Sequence, residues 1–273
     1  MYIKRERYLS KIRPFYDVDL IKVLTGVRRC GKSILLEQIK EEFIENGFDR
    51  THIITINFED LQFEKIRTAE KLNSYVNEQI KDHDKYLIFL DEIQECPNAR
   101  CAIKFLVEDG RFDYIESGSL LGVRYKEISS YPVGFEQILQ MYPLDFEEYM
   151  WANGIQSSTF EYLKGCYDNT TKVSDSIHET LSKLFYSYLV VGGMPENVQI
   201  YVDTHDIAKV VMNQRSILDL YRLDIAKYAS ENEKAKIKAI YDSIPSQLNE
   251  KNRRFKLSSI HPDARMLRYE DCF

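Results

Sequence analysis

The chain is poor in the residues that several common chemistries require. It has five cysteines in 273 residues, at positions 30, 96, 101, 166 and 272, and none of them pair as C-x-x-C. This weighs against a disulfide scaffold and leads us to expect reduced thiols in a cytoplasmic protein. The five histidines are equally scattered and form no H-E-x-x-H, so a structural zinc site is not expected. No apolar run approaches the roughly 20 residues of a membrane-spanning helix, and no membrane partner is expected. The opening Met1-Tyr2-Ile3-Lys4-Arg5-Glu6-Arg7 is charged with no apolar stretch behind it, so no signal peptide is expected. An N-K-x-D guanine motif, internal repeats and low-complexity segments are lacking too. The net charge of −6 weighs against the whole chain coating nucleic acid.

What remains is an ordinary globular composition, 44% hydrophobic and 29% charged, with enough chain for one large or two modest domains. One octet stands out: Gly26-Val27-Arg28-Arg29-Cys30-Gly31-Lys32-Ser33, a complete G-x-x-x-x-G-K-[ST] phosphate loop. In such a loop the backbone N–H groups wrap a β-phosphate, Lys32 reaches the β/γ oxygens and Ser33 holds Mg²⁺. Its context fits. The apolar strand candidate Leu20–Thr25 precedes it, and Leu35, Leu36, Ile39 and Phe43 follow at helical spacing. Strand, glycine loop and helix place a positive helix terminus under the phosphates.

A second motif lies downstream. Tyr86-Leu87-Ile88-Phe89-Leu90-Asp91-Glu92-Ile93 reads as a central strand, apolar on both faces, that ends in two acids. Carboxyl ends of strands are where ligands bind in open α/β sheets. Asp91 is therefore the expected Mg²⁺ partner opposite Ser33, and Glu92 the expected carboxylate that polarises an attacking water.

Strand candidates at 52–58, 112–119 and 136–144 alternate with helix candidates at 69–81 and 98–109, the pattern of βαβ units and a parallel sheet. This block runs over residues 1–154. A helical extension is expected over 155–230, with residues 156–176 as a polar loop or poorly ordered helix, a helix over 177–189 and one long helix over 203–229. Val191-Gly192-Gly193-Met194-Pro195 breaks the pattern. In 231–273, two short helical patterns around Ile244-Pro245-Ser246 suit the start of a winged helix. Lys234, Lys236, Lys238, Lys251, Arg253, Arg254 and Lys256 make this stretch basic, with Asp242 and Glu250 opposing. Such a stripe is either a nucleic-acid footprint or a solvated helical face, and the solvated face is favoured.

The phosphate loop, Leu90-Asp91-Glu92-Ile93-Gln94, Ser117-Gly118-Ser119-Leu120-Leu121-Gly122, Tyr131-Pro132-Val133-Gly134, Tyr142-Pro143-Leu144-Asp145-Phe146-Glu147-Glu148-Tyr149 and Gly192-Gly193-Met194-Pro195-Glu196 occur in this order. In this the chain resembles the prokaryotic AAA-type ATPases that carry a C-terminal domain of unknown function related to restriction-endonuclease folds. The resemblance implies a RecA-like P-loop core with Walker A and Walker B motifs, followed by a helical and partial winged-helix extension. It also implies ATP and Mg²⁺ as ligands, and a sensor residue at Ser117, with Ser119 the alternative. The family pattern has Thr where Ser117 stands. The sequence stops at Phe273, inside what reads as the winged helix, and the family's following domain is expected to be missing from it. Arg28 and Arg29 have two roles open to them, contact with phosphate or pairing with acids on neighbouring elements, and the pairing is favoured. Arg124 is the candidate arginine finger, with a finger from a neighbouring subunit, and hence self-association, as the alternative. The function expected is a Mg²⁺-dependent ATPase that couples nucleotide state to conformation. The rival is a nucleotide-regulated binding module, with nucleic acid as one partner and little turnover.

Overall fold

Five strands occupy the first half of the chain: β1 (Ile21–Gly26), β2 (Ile53–Asn57), β3 (Tyr86–Asp91), β4 (Phe112–Ser119) and β5 (Glu136–Met141). They form one parallel sheet in the order β2-β3-β4-β1-β5. Every residue of β1, β3 and β4 is buried, whereas β2 and β5, at the two edges, expose alternate side chains. The uninterrupted apolar run at 86–90 thus marks a strand covered on both faces. The computed structural model describes residues 3–96, 110–119, 136–251, 254–260 and 269–272. The helix expected at 98–109, the Leu120-Leu121-Gly122 and Tyr131–Gly134 motifs, Arg124 and Arg253 lie outside these residues.

Helices cover both faces of the sheet. On one, α1 (Glu6–Ile12) and α2 (Lys32–Glu45) bring Leu9, Ile12, Leu35, Leu36, Ile39 and Phe43 against Leu24, Leu87, Phe89 and Ile115. On the other, Leu72 and Val76 of α3 (Ala69–Gln79) meet Val23, Ile56, Ile88 and Leu90. Burying each large apolar side chain stabilises the fold by about 1.5–3 kcal/mol. Thr68 caps α3, its hydroxyl accepting from the Lys71 N–H. One charge sits inside this sheet. Lys22 of β1 is fully buried, and its ammonium donates to Asp113 of β4 and, at 2.8 Å, to the Val18 carbonyl. Burial pushes the Lys22 pKa down and the Asp113 pKa up, each opposed by the other's charge.

The later half is helical: α4 (Phe146–Ala152), α5 (Ser157–Asp168), α6 (Asp175–Val191), α7 (Pro195–Thr204), α8 (Ile207–Tyr228) and α9 (Glu231–Leu248). Two sequence expectations are corrected here and one left open is decided. Residues 157–168 are a helix, one of the two forms expected. Phe160, Leu163 and Cys166 form a short inward stripe in an otherwise polar stretch, and Phe160 meets Trp151 edge to face at 5.8 Å. The long helix expected over 203–229 is present but starts later, at Ile207. His205 adopts φ 52° and closes α7 through its N–H to the Tyr201 carbonyl. Asp206 then caps α8 by accepting from the Ala208 N–H at 2.9 Å. Residues 231–248 are one helix, not two: Pro245 lies in its last turn, and although it offers no N–H to the Tyr241 carbonyl, the helix runs on to Leu248.

The chain divides into two compact units, Met1–Val210 and Val211–Phe273. In the first, Leu144, Tyr149, Val191, Val198 and Val210 build a third apolar cluster. In the second, Arg222 pairs with Asp219 at 2.9 Å and Asp242 at 3.3 Å, and the Gln247 side-chain Oε1 accepts from the Lys256 N–H at 2.6 Å. Among the basic residues of this stretch, Lys234 pairs with Glu231 and Lys256 with Glu250. No helix among the described residues is long and apolar enough to cross a membrane.

Candidate functional site

The octet forms the turn between β1 and α2. Gly31 sits at the helix entrance with φ 100°, a conformation that disfavours any side chain, and a Cβ there would lie 3.2 Å from the Arg5 guanidinium. Lys32 is 4% exposed, and its ammonium turns back over the loop, donating to the Gly26 carbonyl at 3.3 Å and the Val27 carbonyl at 3.4 Å. Ser33, next on α2, is exposed. Cys30 packs beneath the loop, and burial pushes its thiol pKa up, so it is a neutral space-filler rather than a nucleophile.

The neighbouring strands bring the acidic pair to the same end of the sheet. Register places Leu24 beside Ser117 and Leu90 beside Glu116, so Asp91, the last residue of β3, comes level with Ser117, two residues before the end of β4. Ser117 is fully buried and its hydroxyl donates to Asp91 Oδ1, which also accepts from the Glu92 N–H at 3.1 Å. Glu92 has φ 55°, a left-handed conformation uncommon for a side chain of its size. Burial raises its carboxyl pKa. The Gln94 amide and the Lys32 charge pull it the other way, and Asp91 adds to the rise. Gln94 donates to Glu92 Oε2 and accepts from the Ser119 N–H at 3.2 Å. Ser117 therefore steadies Asp91, while the Ser119 backbone steadies Glu92 through Gln94.

The two loop arginines pair with acids: Arg28 Nη2 with Glu59 at 2.8 Å, and Arg29 Nη1 with Glu196 at 2.7 Å. Glu196 lies in the first turn of α7, brought there by the Gly192-Gly193 break. A Cβ on Gly193 would lie 2.1 Å from the Leu144 carbonyl oxygen, and the Leu144 N–H donates to the Gly193 carbonyl at 2.6 Å. The loop, Glu92 and the start of α7 line a cavity of about 420 Å³, with Ile3, Ile34, Pro195 and Gln199 supplying further wall.

Arg5, Gln94, Glu59, Glu148 and Glu196 had no role in the sequence reading. Gln94 and Glu196 fall within motifs quoted for the resemblance, so a signal was present. Arg5 looks like one more charge in a basic segment, yet it is 1% exposed. Its guanidinium donates to the Cys30 carbonyl at 2.7 Å, to the Tyr142 carbonyl at 2.8 Å and to both oxygens of buried Glu148, at 2.8 and 3.3 Å. One side chain thus ties the phosphate loop to the segment after β5 and to α4. Removing one partner of a buried ion pair leaves an uncompensated charge and costs about 3–5 kcal/mol. Glu148→Ala should lower stability by that order, read as a fall in the urea midpoint. A loss below about 1 kcal/mol would show that Arg5 is satisfied without the carboxylate.

Residues 19–150 match the family model described as "AAA domain", and residues 182–272 match a domain of unknown function, DUF8612. An uncharacterized protein of Haemophilus influenzae is 26% identical over 219 residues, covering 77% of this chain and 54% of the relative. Uncharacterized protein MJ1544 of Methanocaldococcus jannaschii is 27% identical over 212 residues, covering 78% of this chain and 43% of its own length. The chain spans about half the length of these curated relatives. Among solved structures, an S. cerevisiae Hsp104:casein complex aligns with a TM-score of 0.46 at 16% identity, over 93% of this chain and 50% of that one. The Aeropyrum pernix ORC1 protein in complex with DNA aligns with a TM-score of 0.42 at 13% identity, over 99% and 78%. Residues 19–150 thus resemble an AAA domain in sequence, and the five-stranded parallel sheet with the glycine loop between β1 and α2 gives them the fold of a RecA-like P-loop core.

Proposed function

We propose that this site binds ATP with Mg²⁺ and hydrolyses it, coupling nucleotide state to conformation. One observation carries the reading. A glycine loop with a buried lysine, a strand-end aspartate and a half-buried glutamate meet at the carboxyl end of three adjacent parallel strands, β1, β3 and β4. The residues present suit the ligands. Gly31 has a left-handed conformation that disfavours a side chain, and a Cβ there would crowd the Arg5 guanidinium, so a glycine keeps the loop backbone free to approach phosphate. Ser33 and Asp91 are a hydroxyl and a carboxylate, the oxygen donors that Mg²⁺ takes.

Each group then has a task. The loop amides and Lys32 hold the β- and γ-phosphate oxygens, with Lys32 exchanging its hold on the Gly26 and Val27 carbonyls for phosphate oxygen. Mg²⁺, when bound, neutralises charge on the same oxygens. Glu92 accepts a proton from the water that attacks the γ-phosphorus, the bond from phosphorus to the bridging oxygen breaks, and ADP and phosphate leave. Ser117 keeps Asp91 oriented, and Gln94 keeps Glu92 turned toward the site. Much of the rate enhancement comes from such placed charges.

Steady-state release of phosphate from ATP, with and without Mg²⁺ and with and without DNA, tests the proposal. Turnover that requires Mg²⁺ is expected. Tight ATP binding without turnover under every condition would favour a nucleotide-regulated binding module.

A further inference from the structure

We propose that Arg29 and Glu196 form a latch across the nucleotide cavity, which the β- and γ-phosphates of a nucleoside triphosphate open by competing with Glu196 for the Arg29 guanidinium. The inference rests on the nucleotide reading above and adds a regulatory device to it. Arg29 belongs to the phosphate loop itself, and its left-handed backbone, φ 66°, is held by the tight turn. Its side chain is consequently the part free to swing. Glu196 stands 167 residues away in sequence, in the first turn of α7, yet the two ions are 2.7 Å apart and both line the cavity that Lys32 and Ser33 share. A carboxylate in the wall of a phosphate site would repel the ligand unless it were engaged, and Arg29 is what engages it.

The exchange is energetically easy. The side chains of Arg29 and Glu196 are 39% and 51% exposed. A pair so open to water contributes little to stability. Phosphate offers the planar guanidinium a two-point partner of higher charge. Once Arg29 turns to phosphate, the first turn of α7 loses its tie to the loop, and the freed carboxylate is pushed away by the phosphates. The far side of α7 carries a built-in reporter. Trp151 is the only tryptophan of the chain, and it lines a neighbouring cavity together with Gln199, Val202 and Asp203 of α7. Gln199 lines both cavities, so displacement of α7 at the latch reaches the indole.

The test compares wild type, Glu196→Gln and Lys32→Ala, using calorimetry for affinity and Trp151 emission for the position of α7. ATP with Mg²⁺ is the probe and AMP the control that lacks the β- and γ-phosphates. The latch predicts that Glu196→Gln binds ATP about three- to fivefold more tightly, the size expected for a half-exposed ion pair, with AMP affinity unchanged. It also predicts that ATP shifts the wild-type emission, while Glu196→Gln starts from the shifted value and responds little. Unchanged or weaker ATP affinity in Glu196→Gln overturns the latch, as does an equal gain for AMP, or wild type that binds ATP without any emission change. If Lys32→Ala binds ATP as wild type does, the nucleotide site itself is misassigned and the latch falls with it.

Discussion

Lys32→Ala should lose roughly a hundredfold in ATP affinity, the value of one or two charge-assisted hydrogen bonds to phosphate oxygen. The expectation is large because the ammonium is already where the charge is needed. It lies buried at the centre of the loop, held over it by the Gly26 and Val27 carbonyls, and it has no competing carboxylate partner within hydrogen-bond reach among the described residues. Calorimetric titration with ATP and Mg²⁺ measures the loss. Wild-type affinity in a mutant whose far-UV circular dichroism is unchanged would remove the octet from the nucleotide site.

The second large effect separates the two acids. Glu92→Gln should retain ATP binding and lose about 10²- to 10⁴-fold in turnover, since an amide can hydrogen-bond water but cannot take its proton. Asp91→Asn should weaken Mg²⁺-dependent binding as well, because it removes the charge that faces the metal. The pH profile distinguishes them further. The working form of Glu92 is the carboxylate, and burial lifts its pKa above the ordinary value. The proton is therefore retained to higher pH, and turnover should begin to fall, as pH is lowered, before an ordinary carboxylate would protonate. That acid limb should be missing from the residual activity of Glu92→Gln. Normal hydrolysis by both mutants would show that this pair does not carry the chemistry.

The parts of the site legible in sequence are those encoded by contiguous chain. The octet, its flanking strand and helix, and the strand that ends in Asp91 and Glu92 each announce themselves through spacing and periodicity within some ten residues. The sheet followed from alternation of strands and helices. The supports of the site were not legible, because they arrive from far away. Arg5 reaches Glu148 across 143 residues, and Arg29 reaches Glu196 across 167. Nothing in the local pattern of a basic N-terminal segment says that one of its arginines is buried. The helix α5 stayed undecided between loop and helix for a related reason: three inward side chains sufficed to dock a segment of polar composition. The break at His205 and Asp206 carried a capping aspartate, a local signal outweighed by the apolar periodicity on both sides of it.

The buried pair of Lys22 and Asp113 has a bearing on how the sheet finds its alignment during folding. β1 and β4 lie side by side, yet β2 and β3 intervene in sequence, so the two strands meet only after the chain has travelled across the sheet. A slip of one residue would turn every side chain to the opposite face, and the cores would reject it. A slip of two keeps each side chain on its own face, and an apolar pattern alone discriminates weakly against it. It would, however, carry Lys22 roughly 7 Å along the strand from Asp113. Two charges would then be buried unpaired, at a cost of several kcal/mol. An ion pair near the start of β1 thereby determines which residues stand level at the opposite end, where Gly26 must come to rest beside Ser119.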